Sequence, residues 1–254
     1  MRSMRIARLW PVALILAAAG ALAPPALAQD AAAREANRQA GAAYQAGDHA
    51  GAARLLAVAC EGGVASACYN LGNLTREGRG VAKDEARAAL LYGKACDGGE
   101  ANGCFNLGIM TEHGRGVAKD EARAALLFGK ACDGGDATGC QNLGVLTEAG
   151  RGVARDEARA VLLFGKACEG GLTAGCNNLG GLTELGRGVA KDEARAALLY
   201  GKACDGGNAV GCFNLGWLTE LGRGVAKDAA RAKQLYAKAC AGGATFACDM
   251  LKVQ

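Results

Sequence analysis

Apolar residues along the chain recur at three- and four-residue steps, and the whole pattern returns every 36 residues. In CFNLGIMTEHGRGV, Leu107 and Met110 stand three apart with Cys104 on the same side, the spacing of a helix that faces a core. In KDEARAALLFGKAC, Asp120 is a good N-cap and Glu121 follows in the first turn, where a negative charge suits the helix dipole. Leu126, Leu127 and Ala131 then fit a helix facing a partner. Gly114-Arg115-Gly116 between the two halves, and Gly134-Gly135 before the next unit, supply the positive-φ freedom that tight helix connections need. Each unit is predicted to be a helical hairpin. Helices of about 12–14 residues are marginal alone in water, so stability has to come from stacking.

Five near-identical units follow one another over residues 65–100, 101–136, 137–172, 173–208 and 209–244. A period of this size means stacked supersecondary units. The expected fold is all-α: an α/α superhelical solenoid of five full repeats, forming a single repeat domain over 29–254. Residues 31–64 fit an N-terminal capping hairpin with a shorter turn at Gly47-Asp48, and 245–254 fit a C-terminal capping helix. Near that end Lys233 and Gln234 replace the Ala89-Leu90 pair of the first full repeat, as a polar outer cap requires. Glycines recur inside the first helices (Gly72, Gly108, Gly144, Gly180, Gly216) and the second (Gly93, Gly129, Gly165, Gly201). Each costs about 1 kcal/mol relative to Ala, so both sets are expected where helices approach too closely for a larger side chain.

The cysteines keep the same step. The six pairs are Cys60–Cys68, Cys96–Cys104, Cys132–Cys140, Cys168–Cys176, Cys204–Cys212 and Cys240–Cys248. Each joins the end of one helix to the start of the next across a Gly-Gly turn, which brings the pair within disulfide reach. Zinc sites favour shorter ligand spacings, and only His49 and His113 could add imidazoles. A redox couple would more often be C-x-x-C, and single. The reading is six structural staples, with no metal and no cofactor.

Such a framework belongs in an oxidising compartment, and the N-terminus agrees. Arg2, Arg5 and Arg8 precede an apolar run that ends in Ala26-Leu27-Ala28, a secretory leader with a cut expected after Ala28. A periplasmic or secreted protein, with no membrane association after cleavage, is the expectation. The leader holds three Arg and no acid, which leaves 26 Lys and Arg against 25 Asp and Glu. A remainder near neutrality, without a clustered basic face, argues against nucleic-acid binding.

The repeated LGxLTExGRGVAKD and LLYGKAC segments resemble the Sel-one-like repeat, a relative of the tetratricopeptide repeat, and the C-x7-C pairs resemble its cysteine-rich secreted bacterial members. The resemblance covers about 60–254. It implies a right-handed superhelix whose first helices line the concave surface. It also brings two functional labels: adaptor for protein complexes, and penicillin-binding protein or weak β-lactamase. Serine β-lactamases need Ser with Lys three residues on, together with S-D-N and K-T-G. After the leader the one serine is Ser66, and none of these motifs follows it. No catalytic residue is assigned. Peptidoglycan fragments or β-lactams remain partners implied by the label alone.

Comparison of the units isolates what stacking leaves free. Three first-helix positions vary and lie four apart: Tyr69/Phe105/Gln141/Asn177/Phe213, Asn73/Ile109/Val145/Gly181/Trp217 and Glu77/His113/Ala149/Leu185/Leu221. They form one stripe, expected roughly opposite the Cys-Leu core face. An asparagine ladder runs beside it: Asn70, Asn106, Asn142, Asn178 and Asn214. With a concave first-helix layer, Tyr69, Phe105, Ile109, Phe213 and Trp217 together with the ladder make a candidate groove for a protein or extended peptide. The amides would hold its backbone and the rings its side chains. The same ladder could instead bond across repeats, and the aromatics could fill gaps between them.

Overall fold

A computed structural model describes residues 25–251; the leader expected over residues 1–28 lies almost wholly outside them, as do Lys252, Val253 and Gln254. Among the described residues there are thirteen α-helices and no strand. In chain order they are α1 (Pro25–Gln45), α2 (His49–Glu61), α3 (Ala65–Glu77), α4 (Glu85–Asp97), α5 (Ala101–His113), α6 (Glu121–Asp133) and α7 (Ala137–Ala149). They continue as α8 (Glu157–Glu169), α9 (Thr173–Leu185), α10 (Glu193–Asp205), α11 (Ala209–Leu221), α12 (Ala229–Ala241) and α13 (Thr245–Met250). Odd-numbered helices form one layer and even-numbered helices the other. Each helix packs on its neighbours in sequence, and α9 also meets α11 within the odd layer.

Local chemistry sets each element. The Asp120 side chain accepts a hydrogen bond from the Arg123 amide at 2.9 Å, and Asp84, Asp156, Asp192 and Asp228 cap their helices in the same way. Gly114 ends α5 in the left-handed region (φ 71°), and the Asp120 amide reaches back to the Thr111 carbonyl at 3.0 Å, closing the hairpin loop. Gly116 (φ 65°) is needed twice over, because a Cβ there would strike the Glu85 carbonyl of the preceding hairpin. In the Gly134-Gly135 turn only Gly135 is left-handed (φ 89°).

The core follows the 36-residue period. Cys104, Leu107 and Met110 of α5 are buried, with Leu127, Phe128 and Ala131 of α6 against them. Phe128 lies across Gly108, where a Cβ would sit 2.7 Å from the ring. Gly72 with Tyr92, Gly144 with Phe164, Gly180 with Tyr200 and Gly216 with Tyr236 repeat the contact. First-helix glycines are therefore close-approach residues. Second-helix glycines are not, and that expectation is corrected. A Cβ at Gly93 or Gly129 would come no nearer than 3.8 Å to another residue, one at Gly201 no nearer than 3.9 Å, and one at Gly165 meets nothing within 4 Å. Leu126 is a second correction: it is exposed, and of the two adjacent leucines only Leu127 faces inward.

All six disulfides join an even helix to the next odd one, with Cα–Cα distances from 4.4 Å (Cys204–Cys212) to 4.9 Å (Cys240–Cys248). The capping loop thus closes each hairpin from within, and the disulfide clips it to the next. A set of this kind persists in an oxidising compartment.

Candidate functional groove

Neighbouring hairpins are clamped at the loop edge. Arg223, in the loop after α11, donates to Glu193 at 2.7 Å and lies 3.1 Å from Glu184, both in the preceding hairpin. Tyr200 donates to the same Glu184 at 2.8 Å. Arg187 joins Glu157 and Glu148, and Arg151 joins Glu121 and Glu112, in the same way. Hydrogen bonds from these arginines hold the carboxyls of Glu121, Glu157 and Glu193 below their ordinary range. Burial pushes the Tyr92 hydroxyl up to about 12 and raises Tyr200 and Tyr236 further. Most of the recurring Thr-Glu pairs are thereby accounted for, while the buried Thr147 hydroxyl has no hydrogen-bond partner among the described residues. The glutamates clamp, and the buried Thr111, Thr183 and Thr219 hydroxyls donate to the carbonyl four residues back.

The odd-helix layer carries the residues singled out from sequence. The first stripe position lies on the shoulder of the core rather than opposite it. Tyr69, Phe105 and Phe213 are half-buried, with ring centroids 6.1, 5.9 and 5.5 Å from Tyr92, Phe128 and Tyr236. Phe213 also meets Phe246 of α13 edge-on at 4.7 Å. Ile109 is likewise half-buried, against the core around Phe128. These four pack against the core. Exposure grows along the helix: Trp217 is 41% exposed, Leu221 46% and Leu185 63%.

The asparagine ladder divides in two. The Asn106 amide donates to Asn73 across the repeat boundary at 3.4 Å, and that of Asn214 donates to Asn177 at 2.9 Å. Asn178 accepts from Asn177 at 3.5 Å. Asn70 and Asn142 make no hydrogen bond to another described residue. Three of the five ladder residues thus bond across or along the repeats, and two keep their amides open.

The groove has two chemically different ends. At the α1 end a cavity of about 610 Å³ is lined by Asn37, Tyr44, Tyr69, Asn70, Asn73, Arg76, Glu77, Arg79 and Asn106. Here the clamp is altered. Arg76 occupies the position that Glu112 holds one repeat later, and Arg79 donates to the Tyr44 hydroxyl at 2.7 Å. Asn37 and Tyr44 belong to the cap, which has no sister repeat to be compared with, so repeat comparison passes over them. At the α11 end Trp217, Leu185 and Leu221 are exposed, and Gly181 stands at the repeat position of Trp217. Ser66 sits half-buried in the first turn of α3. Among the described residues no three His, Cys, Asp or Glu converge as a metal site, and no helix is long and apolar enough to cross a membrane.

The Sel1 repeat model matches residues 65–100, 101–136, 137–172, 173–208 and 209–243. No curated protein matches. Among solved structures, a protective antigen present in uropathogenic Escherichia coli strains and displaying an SLR fold is 30% identical over 89% of this chain, with TM-score 0.81. The chain spans about half of that protein's length (49%). A Sel1 repeat protein from Oxalobacter formigenes is 27% identical over 85% of this chain and 86% of its own, with TM-score 0.78. The cysteine rich protein B of Helicobacter pylori is 33% identical over 52% of this chain and 96% of its own, with TM-score 0.44.

Proposed function

The chain belongs to the Sel1 repeat family, and from that premise we propose that it is an exported scaffold whose inner groove holds an extended protein segment. One observation carries the reading: Trp217, Leu185 and Leu221 are exposed on the odd-helix layer, where Gly181 at Trp217's own repeat position shows that packing needs no ring. Exposed apolar residues grouped in a concavity mark interaction sites, and a tryptophan in such a place is a common anchor. The opposite end supplies Arg76 and Arg79, both paired with Glu77, beside the open amide of Asn70. A fitting segment is polar where it meets α3 and apolar where it meets α11. Six disulfides and the basic, apolar leader support export.

Selection of linear peptides from a random display library on the oxidised chain tests this. Trp217 is the one tryptophan after the leader, so its emission reports occupancy directly. The expected outcome is peptides of that polarity, whose titration shifts the emission and whose affinity falls by about tenfold or more in Trp217→Ala. Peptides indifferent to Trp217→Ala and Arg79→Ala, or no selection at all, would overturn it.

A further inference from the structure

The even helices α4, α6, α8 and α10 share a surface that the fold does not use. In α6, Arg123, Leu126, Gly129 and Asp133 fall on one face at steps of three, three and four residues. The same order recurs in α4 and α10, and in α8 with Glu169 as the acid. Each member runs against a local rule. The leucines are exposed: 71% at Leu90, 71% at Leu126, 68% at Leu162 and 76% at Leu198. The glycines weaken a helix interior without serving close packing within the chain. The arginine sits in the first turn and the acid in the last, both opposed to the helix dipole. The arginines make no ion pair among the described residues.

Both ends of the solenoid drop the pattern. At the leucine and glycine positions α2 has Arg54 and Ala57, and α12 has Gln234 and Ala237. Exposed leucine and spare glycine therefore appear together and vanish together. The glycine leaves a notch beside the leucine, and at α4 it opens into a cavity of about 550 Å³ edged by Arg87, Leu90, Gly93 and Arg123. Asp97, Asp133 and Asp205 already meet Lys130, Lys166 and Lys238 of the next hairpin at 3.7–3.9 Å, so the departures that the chain itself leaves unmet are the arginine, the exposed leucine and the spare glycine, and their compensation lies outside the monomer.

We propose that this outer face is a self-complementary interface for a second copy of this chain. Read backwards, Arg–Leu–Gly–Asp sets acid against arginine and notch against leucine. A two-fold axis running along the solenoid, midway between the leucine and glycine rows, reverses the helices in this way. It lays Leu126 of one copy over Gly129 of the other and brings Arg123 to Asp133, with Leu162, Gly165, Arg159 and Glu169 alongside. That is an isologous contact with apolar knobs in notches and charges at the rim. An anionic lipid surface would meet the exposed acids as well as the arginines and has no use for notches. The inner groove stays open in such a dimer.

Sedimentation analysis of the oxidised full chain over a range of concentrations is the test. The wild type is expected to approach twice the monomer mass. Gly129→Leu with Gly165→Leu fills the notches and should leave a folded monomer, its folding checked by helicity and by disulfide content. Arg123→Asp with Arg159→Asp should raise the dissociation constant by roughly tenfold or more, and adding Asp133→Arg with Glu169→Arg should restore the dimer. These exchanges also put each charge at its favoured helix end, so loss of fold does not confound the reading. A wild type that stays monomeric, including one that binds anionic vesicles instead, would refute the proposal, as would a dimer indifferent to the filled notches.

Discussion

At the scale of single residues, the two sets of helix glycines have opposite consequences although they look alike in the sequence. Gly108 and Gly144 lie under fully buried rings, at 2.7 Å from a would-be Cβ. Alanine there has to push Phe128 or Phe164 off its seat, and overpacking of this kind costs about 1–3 kcal/mol. A Cβ at Gly129 would make only an ordinary contact with Leu143 at 3.8 Å, and one at Gly165 would meet nothing within 4 Å. Alanine there restores helix propensity and should stabilise the chain by about 0.5–1 kcal/mol per site. Denaturant midpoints of Gly108→Ala and Gly129→Ala, both fully oxidised, should move in opposite directions. Periodicity alone does not separate the two, because recurrence reports that a position is constrained without saying from which side. Leu126 and Leu127 pose the same difficulty: adjacent leucines each satisfy a helical step, and only the seating of Phe128 on Gly108 decides which one turns inward.

At the scale of the element, a disulfide joins each hairpin to the next, and Arg151, Arg187 and Arg223 add a clamp at three of the boundaries. The clamp titrates. Glu121, Glu157 and Glu193 hold their protons less tightly in the folded chain than when free, because arginine hydrogen bonds favour the carboxylate. Their contribution is therefore complete above the ordinary carboxylate range and is lost as pH falls through the lowered folded values. The melting temperature should stay level from neutral pH down to the ordinary carboxylate range and fall only below it. Glu193→Gln should lower the plateau and flatten that acid limb. A melting curve that changes between pH 6 and 8 would refute the clamp as the titrating link. The disulfide adds a second, pH-independent link. For so small a ring the chain-entropy model gives about 2.5 kcal/mol, often more than is measured. Replacing Cys132 and Cys140 together by alanine should shift the unfolding free energy by up to that amount. Hairpins, caps and pairings were legible because each rests on near neighbours in the chain. Asp caps, Gly turns and eight-residue cysteine spacings carry their own geometry. The groove was half legible, since repeat comparison finds Trp217 but says nothing of Asn37 and Tyr44 in the unrepeated cap.

At the scale of the whole molecule, a solenoid has no single core. Buried residues fall into successive clusters along the chain, each shared by neighbouring hairpins. Stability is then a sum of hairpin terms and neighbour terms, so the ends can open without the middle. The C-terminal end is the weaker one on structural grounds. α13 has six residues, and α12 packs on it and on α11 alone among its strong neighbours. The disulfide Cys240–Cys248 holds α13 there, where Phe246 presses on Phe213 one helical turn from Trp217. Removing that bond by Cys240→Ala with Cys248→Ala should release α13 and loosen α11. Trp217 emission should then report a transition at lower temperature than helicity does, while in the wild type the two probes coincide. The same replacement at Cys132 and Cys140 lowers both curves together, because a link in the middle is shared by every longer stretch of stacked hairpins. Coincident probes in the C-terminal variant would mean that the stack is cooperative from end to end, with neighbour terms large enough to hold even a six-residue helix in place.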